Sequence, residues 1–267
     1  MGAQLLSGGR SRTGVGGCPL TMSAANWFEL VQSTALVALM IWVVIDTRRR
    51  GELGLVGLLA IAGFSIFWQE FYADWAAYLL WSPDFHMLPW GSTTWTTPDK
   101  PAMNIVAYPV FMTAAFLSML ALQKWARARW PGVHPLVLSL ATAGPVLIGF
   151  NLVTEYVSVE TFGLWTYVDT IGPVLHSDAG TMPLLYPNIP FGLFGAVTAF
   201  LIGWTNQEGR PRFEALLAKP DLSRGIKRDA LRALAWILTF NVTYWLLLIT
   251  PMLIVREIWG DPSSLVP

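Results

Sequence analysis

The sequence carries little charge for its length. Asp, Glu, Lys and Arg together make up only 13% of its 267 residues, whereas a soluble globular domain carries about 25%. Because so few charged side chains cannot cover a water-facing surface, the composition excludes an ordinary soluble domain. The formal net charge is zero, so we expect no nucleic-acid partner.

Cysteine and histidine are also scarce. The single cysteine, Cys18, excludes an intrachain disulfide and a cysteine metal cage. His86, His134 and His176 are far apart and match neither the histidine clusters of membrane di-iron enzymes nor a zinc spacing. Walker loops, G-x-S-x-G elbows and Asp-rich diphosphate motifs are also missing. We therefore expect no metal and no cofactor, which leaves acid–base work by carboxyl groups as the main chemistry.

Long apolar stretches are abundant, and 54% of the residues are hydrophobic. A membrane-crossing helix needs about 20 mostly apolar residues, and six stretches qualify: 27–46, 53–81, 103–125, 135–156, 184–205 and 233–256. We predict an all-α integral membrane protein with one transmembrane domain over residues 23–267. Residues 1–22 are Gly- and Ser-rich without the apolar core of a signal peptide, and we interpret them as a disordered tail.

Basic residues mark one side of the predicted bundle, because Lys and Arg accumulate in cytoplasmic loops. They concentrate after the first, third and fifth stretches, at Arg48, Arg49, Arg50, Lys124, Arg127, Arg129, Arg210, Arg212, Lys219, Arg224, Lys227, Arg228 and Arg232. This alternation predicts a multi-pass protein of the cell membrane with both termini extracytoplasmic. It also places the two long loops, 82–102 and 157–183, on the extracytoplasmic side, where we expect the functional site.

Two carboxyl groups stand out at this outer end of the second stretch. Glu70 and Asp74 are four residues apart and share one helix face, about 6 Å apart along the axis. An ionisable group within a membrane span is costly and indicates a functional site. A carboxyl group in apolar surroundings, beside a second one, tends to keep a proton and can act as a general acid. The alternative is that Glu70 binds water or a backbone group while Asp74 is solvated.

Further polar and aromatic side chains are predicted near the same level. Glu155 ends the fourth stretch there, and Asn241 lies mid-span in the last stretch, where it needs a hydrogen-bond partner. The candidate substrate-binding residues are Trp68, Tyr72, Trp90, Trp95, Asn104, Tyr108, Asn151, Tyr186, Asn188 and Asn241. Taken singly, the amides and phenols also fit interhelical polar contacts, and the Trp residues fit an aromatic belt at the membrane interface.

Short motifs resemble the AveC-like spirocyclase family of membrane proteins. They are FWQE at 67–70, WGS at 90–92 with Pro98, TE at 154–155, GLWTY at 163–167, YP at 186–187 and NQEGR at 206–210. The resemblance covers most of residues 60–215 and implies spiroketal formation in polyketide biosynthesis. It implies Glu70 and Glu155 as catalytic groups, which Asp74 joins by its position. Trp165 and Tyr167 of the GLWTY motif join the substrate-binding candidates.

A second resemblance implies closely related chemistry. Integral membrane terpene cyclases are also small helical proteins, with an acidic residue after an aromatic one in the second helix, and the FWQE run is similar. Both resemblances imply a membrane-embedded, metal-free cyclase of isomerase or lyase type. In either case a buried carboxyl group closes a ring in a lipophilic polyketide or polyprenyl substrate delivered from membrane lipid.

Two non-enzymatic functions remain open from the sequence, and so does the oligomeric state. A transporter or binding subunit for a lipophilic small molecule is favoured by Asn241 and Pro251 in the last stretch. The lack of an internal repeat weighs against a transporter. A structural or partner-binding membrane module would leave Glu70 as an interhelical contact only. Convergence of Glu70, Glu155 and Asn241 on one pocket would favour the enzyme.

Overall fold

The structure is a computed structural model that describes residues 22–176, 181–218 and 223–267. Except for Met22, the predicted tail lies outside the described residues, as does Lys219 of the third basic loop. The α-helices are α1 Ala24–Arg50, α2 Leu55–Ile66, α3 Glu70–Ala76, α4 Asn104–Arg129, α5 Pro135–Tyr156, α6 Asn188–Gly203, α7 Ile226–Tyr244 and α8 Thr250–Trp259. Short 3₁₀ helices at Phe67–Gln69 and Arg212–Leu216, and π-helices at Val157–Thr161 and Trp245–Ile249, join or extend them.

The structure is mostly helical, as predicted, and several of its helices could span a membrane. Among the described residues, five continuous helical segments are long and apolar enough to cross a membrane: Ala24–Arg50, Leu55–Ala76, Asn104–Arg129, Pro135–Thr161 and Ile226–Trp259. The remaining predicted stretch, 184–205, forms α6, which has only 16 residues. Its length is about 24 Å, whereas the apolar core of a bilayer is about 30 Å thick. The helix begins at Asn188, directly after Pro187.

The second predicted span changes helix type before it reaches its acidic end. α2 tightens into the 3₁₀ turn Phe67–Gln69, and α3 begins at Glu70. A 3₁₀ turn advances with about three residues per turn in place of 3.6. It therefore re-aims α3, which has seven residues, relative to the axis of α2. The side chains of Glu70 and Asp74 remain one turn apart on α3.

The last span also departs from a regular helix, at the π-helix Trp245–Ile249 between α7 and α8. Pro251, the second residue of α8, has no N–H to donate to the Leu247 carbonyl group. A widened turn is one way in which a helix accommodates such a missing bond. Tyr244 thus ends α7 immediately before the irregular turn.

Two small antiparallel sheets correct the all-α prediction. β1 (Leu79–Trp81) pairs with β2 (Trp165–Tyr167), and β3 (Val174–His176) pairs with β4 (Thr181–Pro183). In β2 the residues alternate buried, exposed, buried, which is the two-residue period of a strand. No strands were predicted in the two long loops, because three-residue strands are too short for a clear periodic signal. These loops form the loop end of the bundle, built from residues 77–103 and the described part of 157–187.

Small residues allow the helices to approach closely, as is common in membranes. A Cβ atom on Gly63 of α2 would lie 3.0 Å from the Met112 Cβ and 3.1 Å from the Tyr108 carbonyl oxygen of α4. A Cβ atom on Gly144 of α5 would lie 3.3 Å from the Gly192 carbonyl oxygen of α6. Side chains at these glycines would push the helices apart, including α4, which carries Tyr108.

Buried ion pairs close the opposite, basic end. The Arg232 Nε donates to Glu214 at 2.8 Å, and the Trp236 indole N–H donates to the other Glu214 oxygen at 2.6 Å. These bonds join α7 to the 3₁₀ helix Arg212–Leu216. Burial alone would raise the pKa of Glu52, but the guanidinium groups of Arg210 and Arg232 outweigh it and hold that pKa below its usual range. The basic loops are therefore ordered partly by their own charges.

The charge alternation predicts which bundle end faces the cytoplasm. Ser92 at the loop end and Gln207 at the basic end are both exposed. In a Cys18→Ser background, we expect a membrane-impermeant maleimide to label Ser92→Cys in intact cells. Gln207→Cys should react only after permeabilisation, because Lys- and Arg-rich loops stay cytoplasmic. The reverse pattern would show that the orientation prediction is wrong.

Candidate functional site

A cavity of about 130 Å³ lies at the loop end, among α1, α3, α4, α5 and the α7–α8 junction. Its walls are mainly apolar, with Phe111, Phe191, Leu248 and Met252 among them. The predicted site residues that line it are Glu70, Asp74, Asn104, Tyr108, Asn151, Glu155, Trp165 and Tyr167. Three carboxyl groups from two separate spans therefore share one apolar cavity. By volume it could hold about four water molecules or one small organic group.

Glu70 is held by two tyrosines from different helices. Its Oε2 accepts hydrogen bonds from the hydroxyl of Tyr108 on α4 and, at 2.9 Å, from that of Tyr244 on α7. The two hydroxyl oxygens also lie 2.8 Å apart. Because both donors act on one oxygen, the Glu70 carboxyl group has a defined position at the meeting point of α3, α4 and α7.

Asp74 lies one turn further along α3 and is only 2% exposed. Its Oδ2 accepts a hydrogen bond of 2.9 Å from the indole N–H of Trp81 in β1. This indole is the one protein donor to the Asp74 side chain among the described residues. Asp74 therefore has fewer donors than Glu70, although both side chains line the same cavity.

Glu155 stands near the end of α5 and also has two donors. Its Oε2 accepts from the Trp165 indole N–H at 2.9 Å and from the Tyr167 hydroxyl at 2.7 Å. Burial, and then the nearby Glu155 carboxyl group, raises the pKa of Tyr167 well above its usual range. The Tyr167 hydroxyl thus keeps its proton and remains a donor to Glu155.

The β1–β2 sheet supplies donors to two of the three carboxyl groups. Trp81 lies directly opposite Trp165 in the antiparallel register, and their ring centroids are 4.8 Å apart. One indole donates to Asp74 and the other to Glu155. A sheet of two three-residue strands thus couples the loop end to the acids on α3 and α5.

Side chains outside the cavity hold the C-terminal end of α3. The last carbonyl groups of a helix have no partner within it. The Tyr186 hydroxyl donates to the Ala76 carbonyl oxygen at 2.8 Å and lies 3.0 Å from that of Met252. The Arg256 guanidinium donates to the Trp75 carbonyl oxygen and lies 3.5 Å from the centroid of the Trp75 ring. Together these contacts fix the short helix that carries Glu70 and Asp74.

The predicted aromatic residues of the second span and its loop do not line the cavity. Trp68 is 40% exposed and stacks on Trp245, which Tyr72 also contacts edge-on. Trp90 packs against the rings of Phe67 and Phe71. Trp95 is 48% exposed. These side chains point away from the face of α3 that carries its acids. The sequence could not show this, because the helix is apolar all round.

Three other predicted residues support the cavity without lining it. The Asn241 amide donates to the Ser65 hydroxyl at 2.8 Å and accepts from Gln69 at 2.7 Å, which joins α7 to α2 and its 3₁₀ turn. Asn188 accepts from the Asn151 amide at 2.9 Å, and Tyr186 holds α3 from behind. Each therefore acts between helices, as polar residues in membrane bundles commonly do.

Sequence reasoning missed Tyr244 and Trp81. Tyr244 lies three residues after Asn241 in the last span, and a phenol at that depth was a usable signal, because a buried hydroxyl needs a partner. Trp81 stood at the end of the predicted second span and looked like one of many interface tryptophans. Phe28 and Gln32 of α1 also line the cavity, and no motif marked them. Among the described residues, no group of three His, Cys, Asp or Glu side chains could hold a metal ion.

The fold and the site define a helical membrane protein with three carboxyl groups in an apolar cavity. The model of one protein family, described as Spirocyclase AveC-like, matches residues 48–266. The chain therefore belongs to the AveC-like spirocyclase family, as its motifs indicated, and this membership indicates a cyclase role. No curated protein and no solved structure matches the chain.

The contacts behind α3 predict a stability effect for Tyr186→Phe. This change leaves two buried carbonyl groups without the hydroxyl that they share, which should lower the free energy of unfolding by about 1–3 kcal/mol. Thermal or denaturant unfolding in detergent micelles measures the loss. Tyr156→Phe is the control, because Tyr156 is 51% exposed on α5 and should tolerate the change. Equal unfolding of both variants and the wild type would contradict the role given to Tyr186.

Proposed function

We propose that the protein is a membrane-embedded cyclase that closes rings in a lipophilic natural-product intermediate by carboxyl acid–base chemistry, of the spiroketal-forming type. The observation that carries this proposal is the meeting of Glu70, Asp74 and Glu155 in one apolar cavity. Family membership supports the cyclase class. Ring closure adds a substrate hydroxyl group to a carbonyl or hemiketal carbon and releases water. It needs a proton donor and a proton acceptor, and both can be carboxyl groups.

The hydrogen bonds suggest how the three acids divide the work. Glu70 and Glu155 each accept two bonds from phenol or indole donors, an arrangement that suits a carboxylate. Asp74 accepts one, and the two other acids are nearby, an arrangement that suits a carboxylic acid. Asp74 is thus the proton donor in this proposal, and Glu70 or Glu155 is the proton acceptor. From the sequence, either Glu70 or Asp74 could be the general acid, and this proposal assigns that role to Asp74.

The proposed step balances without an added reactant. A substrate hydroxyl oxygen attacks the hemiketal carbon and forms a new C–O bond, while the bond from that carbon to the hemiketal hydroxyl group breaks and the ring C–O bond is kept. Asp74 gives its proton to the departing hydroxyl, which leaves as water, and a glutamate removes the proton of the attacking hydroxyl. Transfer of that proton back to Asp74 restores the site. The aromatic walls shield these transfers from bulk water and favour a lipophilic substrate.

Amide substitutions test the proposal directly. The probe is a nine-carbon chain with a central ketone and a hydroxyl at each end, which closes to a two-ring spiroketal and one water. Wild-type protein in lipid nanodiscs should form one enantiomer of this product in excess at neutral pH. Asp74→Asn should lower the rate by about 10²–10⁴-fold, because it removes the proton donor. One of Glu70→Gln and Glu155→Gln should cause a loss of the same size, which identifies the proton acceptor. Chiral gas chromatography follows both rate and enantiomeric excess.

Asp84→Asn is the matched control, because Asp84 is an exposed acid at the same end of the bundle. It should keep the wild-type rate. Racemic product at the background rate from the wild type would count against the cyclase. Uptake of the ketone into proteoliposomes in that case would favour the transporter instead. Wild-type rates in all three amide variants would remove the carboxyl groups from the mechanism.

The proposed chemistry also needs no metal ion. Prolonged treatment with EDTA followed by desalting should leave the rate and the enantiomeric excess unchanged, because proton transfers between carboxyl groups involve no Lewis acid. The same assay provides the measurement. Loss of turnover that added Mg²⁺ or Zn²⁺ restores would overturn the metal-free mechanism while leaving the cyclase assignment in place.

A further inference from the structure

A deeply buried amide in the cavity wall, that of Asn104, has no hydrogen-bond partner among the described residues. Asn104, the first residue of α4, is 1% exposed and lines the cavity. Its amide makes no hydrogen bond with any described residue, and its Nδ2 is shielded from solvent. A buried donor without a partner is uncommon in folded proteins and calls for a specific explanation.

The NH₂ groups of three other deeply buried amides in the described residues do have partners. Gln69 donates to Asn241, Gln123 donates to Ser139, and Asn188 donates to the Pro183 carbonyl oxygen. These residues are each 1–2% exposed, as Asn104 is. The bundle thus supplies hydrogen bonds to amides that join its helices. Asn104 differs from them because its amide meets the cavity and not a neighbouring helix.

The position of Asn104 relates it to the reacting groups. Tyr108 lies four residues later on the same face of α4, about 6 Å along the axis, and donates to Glu70. Asn104 therefore stands one helical turn from the acid–phenol contact, on a wall shared with Asp74 and Glu155. A group bound at Asn104 would lie beside the carboxyl groups.

We propose that the Asn104 amide donates a hydrogen bond to an oxygen atom of the substrate next to the reacting carbon. A ketone, hemiketal or spiroketal oxygen can accept this bond, whereas a hydrocarbon chain of the same shape cannot. Asn104 thus selects an oxygen-bearing chain over a polyprenyl one. The inference rests on the proposed function, which it deepens by giving the site a specificity residue.

A matched pair of ligands tests this selection independently of catalysis. One ligand is the unsubstituted spiroketal with two six-membered rings, and the other is the spiro hydrocarbon with the same ring sizes. Their affinities for wild type and Asn104→Leu are measured in nanodiscs by tryptophan fluorescence, because Trp81 and Trp165 line the cavity. Partitioning of each ligand into lipid is equal for both proteins and cancels when they are compared.

The wild type should prefer the spiroketal, and Asn104→Leu should reduce that preference by about 10-fold or more. The thermal stability of Asn104→Leu should not fall, because leucine of similar size replaces an amide that has no partner in the described part of the chain. Asn151→Leu is the contrast: it removes the bond to Asn188 and should lower stability. If Asn104→Leu is not recovered folded, Asn104→Ala is tested with the same ligands.

An unchanged preference in the folded variant would overturn the inference, as would equal binding or no binding of the two ligands by the wild type. Turnover of the dihydroxyketone separates this result from the proposed function. Turnover that is equal in the wild type and Asn104→Leu would leave the cyclase standing without this residue. Spiroketal preference that depends on Asn104, without turnover, would leave a selective binding site and refute the cyclase.

Discussion

An acidic side chain inside an apolar helical bundle needs hydrogen-bond donors from the protein itself, because lipid supplies none. In this structure that requirement joins segments far apart in the chain. Glu70 on α3 draws donors from α4 and α7, and Glu155 on α5 draws its donors from β2. Burial of these carboxyl groups without donors would cost free energy. The hydrogen bonds to their donors hold the helices and strands of the loop end together.

The two ends of the bundle meet the same constraint in different ways. At the basic end, Glu214 is 2% exposed and pairs with Arg232 as an ion pair, so that its charge is neutralised within the fold. At the loop end the acids receive phenol and indole donors that carry no positive charge, and they face a cavity. An acid whose charge is not neutralised by a neighbouring cation remains able to exchange a proton with a ligand. This contrast supports the loop end as the place of chemistry and the basic end as structural.

Much of the fold followed from composition and periodicity. The long apolar stretches predicted the ends of the spans to within about seven residues, because the length of a membrane-crossing helix is set by the thickness of the bilayer. The four-residue spacing of Glu70 and Asp74 placed them on one face, since that spacing is fixed by the helix. The side to which that face turns was not predictable, because a helix that is apolar all round has no preferred face in the sequence. Trp68 and Trp90 were therefore assigned to a site that they do not reach.

By itself, the sequence determined the membrane class, the approximate spans, the family resemblance and the identity of the three acids. Each of these depends on local composition or on short motifs. Only the tertiary structure decided which groups meet the acids, because Tyr244 and Trp81 reach them across 174 and seven residues of chain, respectively. It also decided that the Asn241 amide joins two helices, whereas the Asn104 amide lines the cavity without a partner among the described residues. Hydrogen bonds between segments depend on the packing of whole helices, and no local pattern encodes that packing.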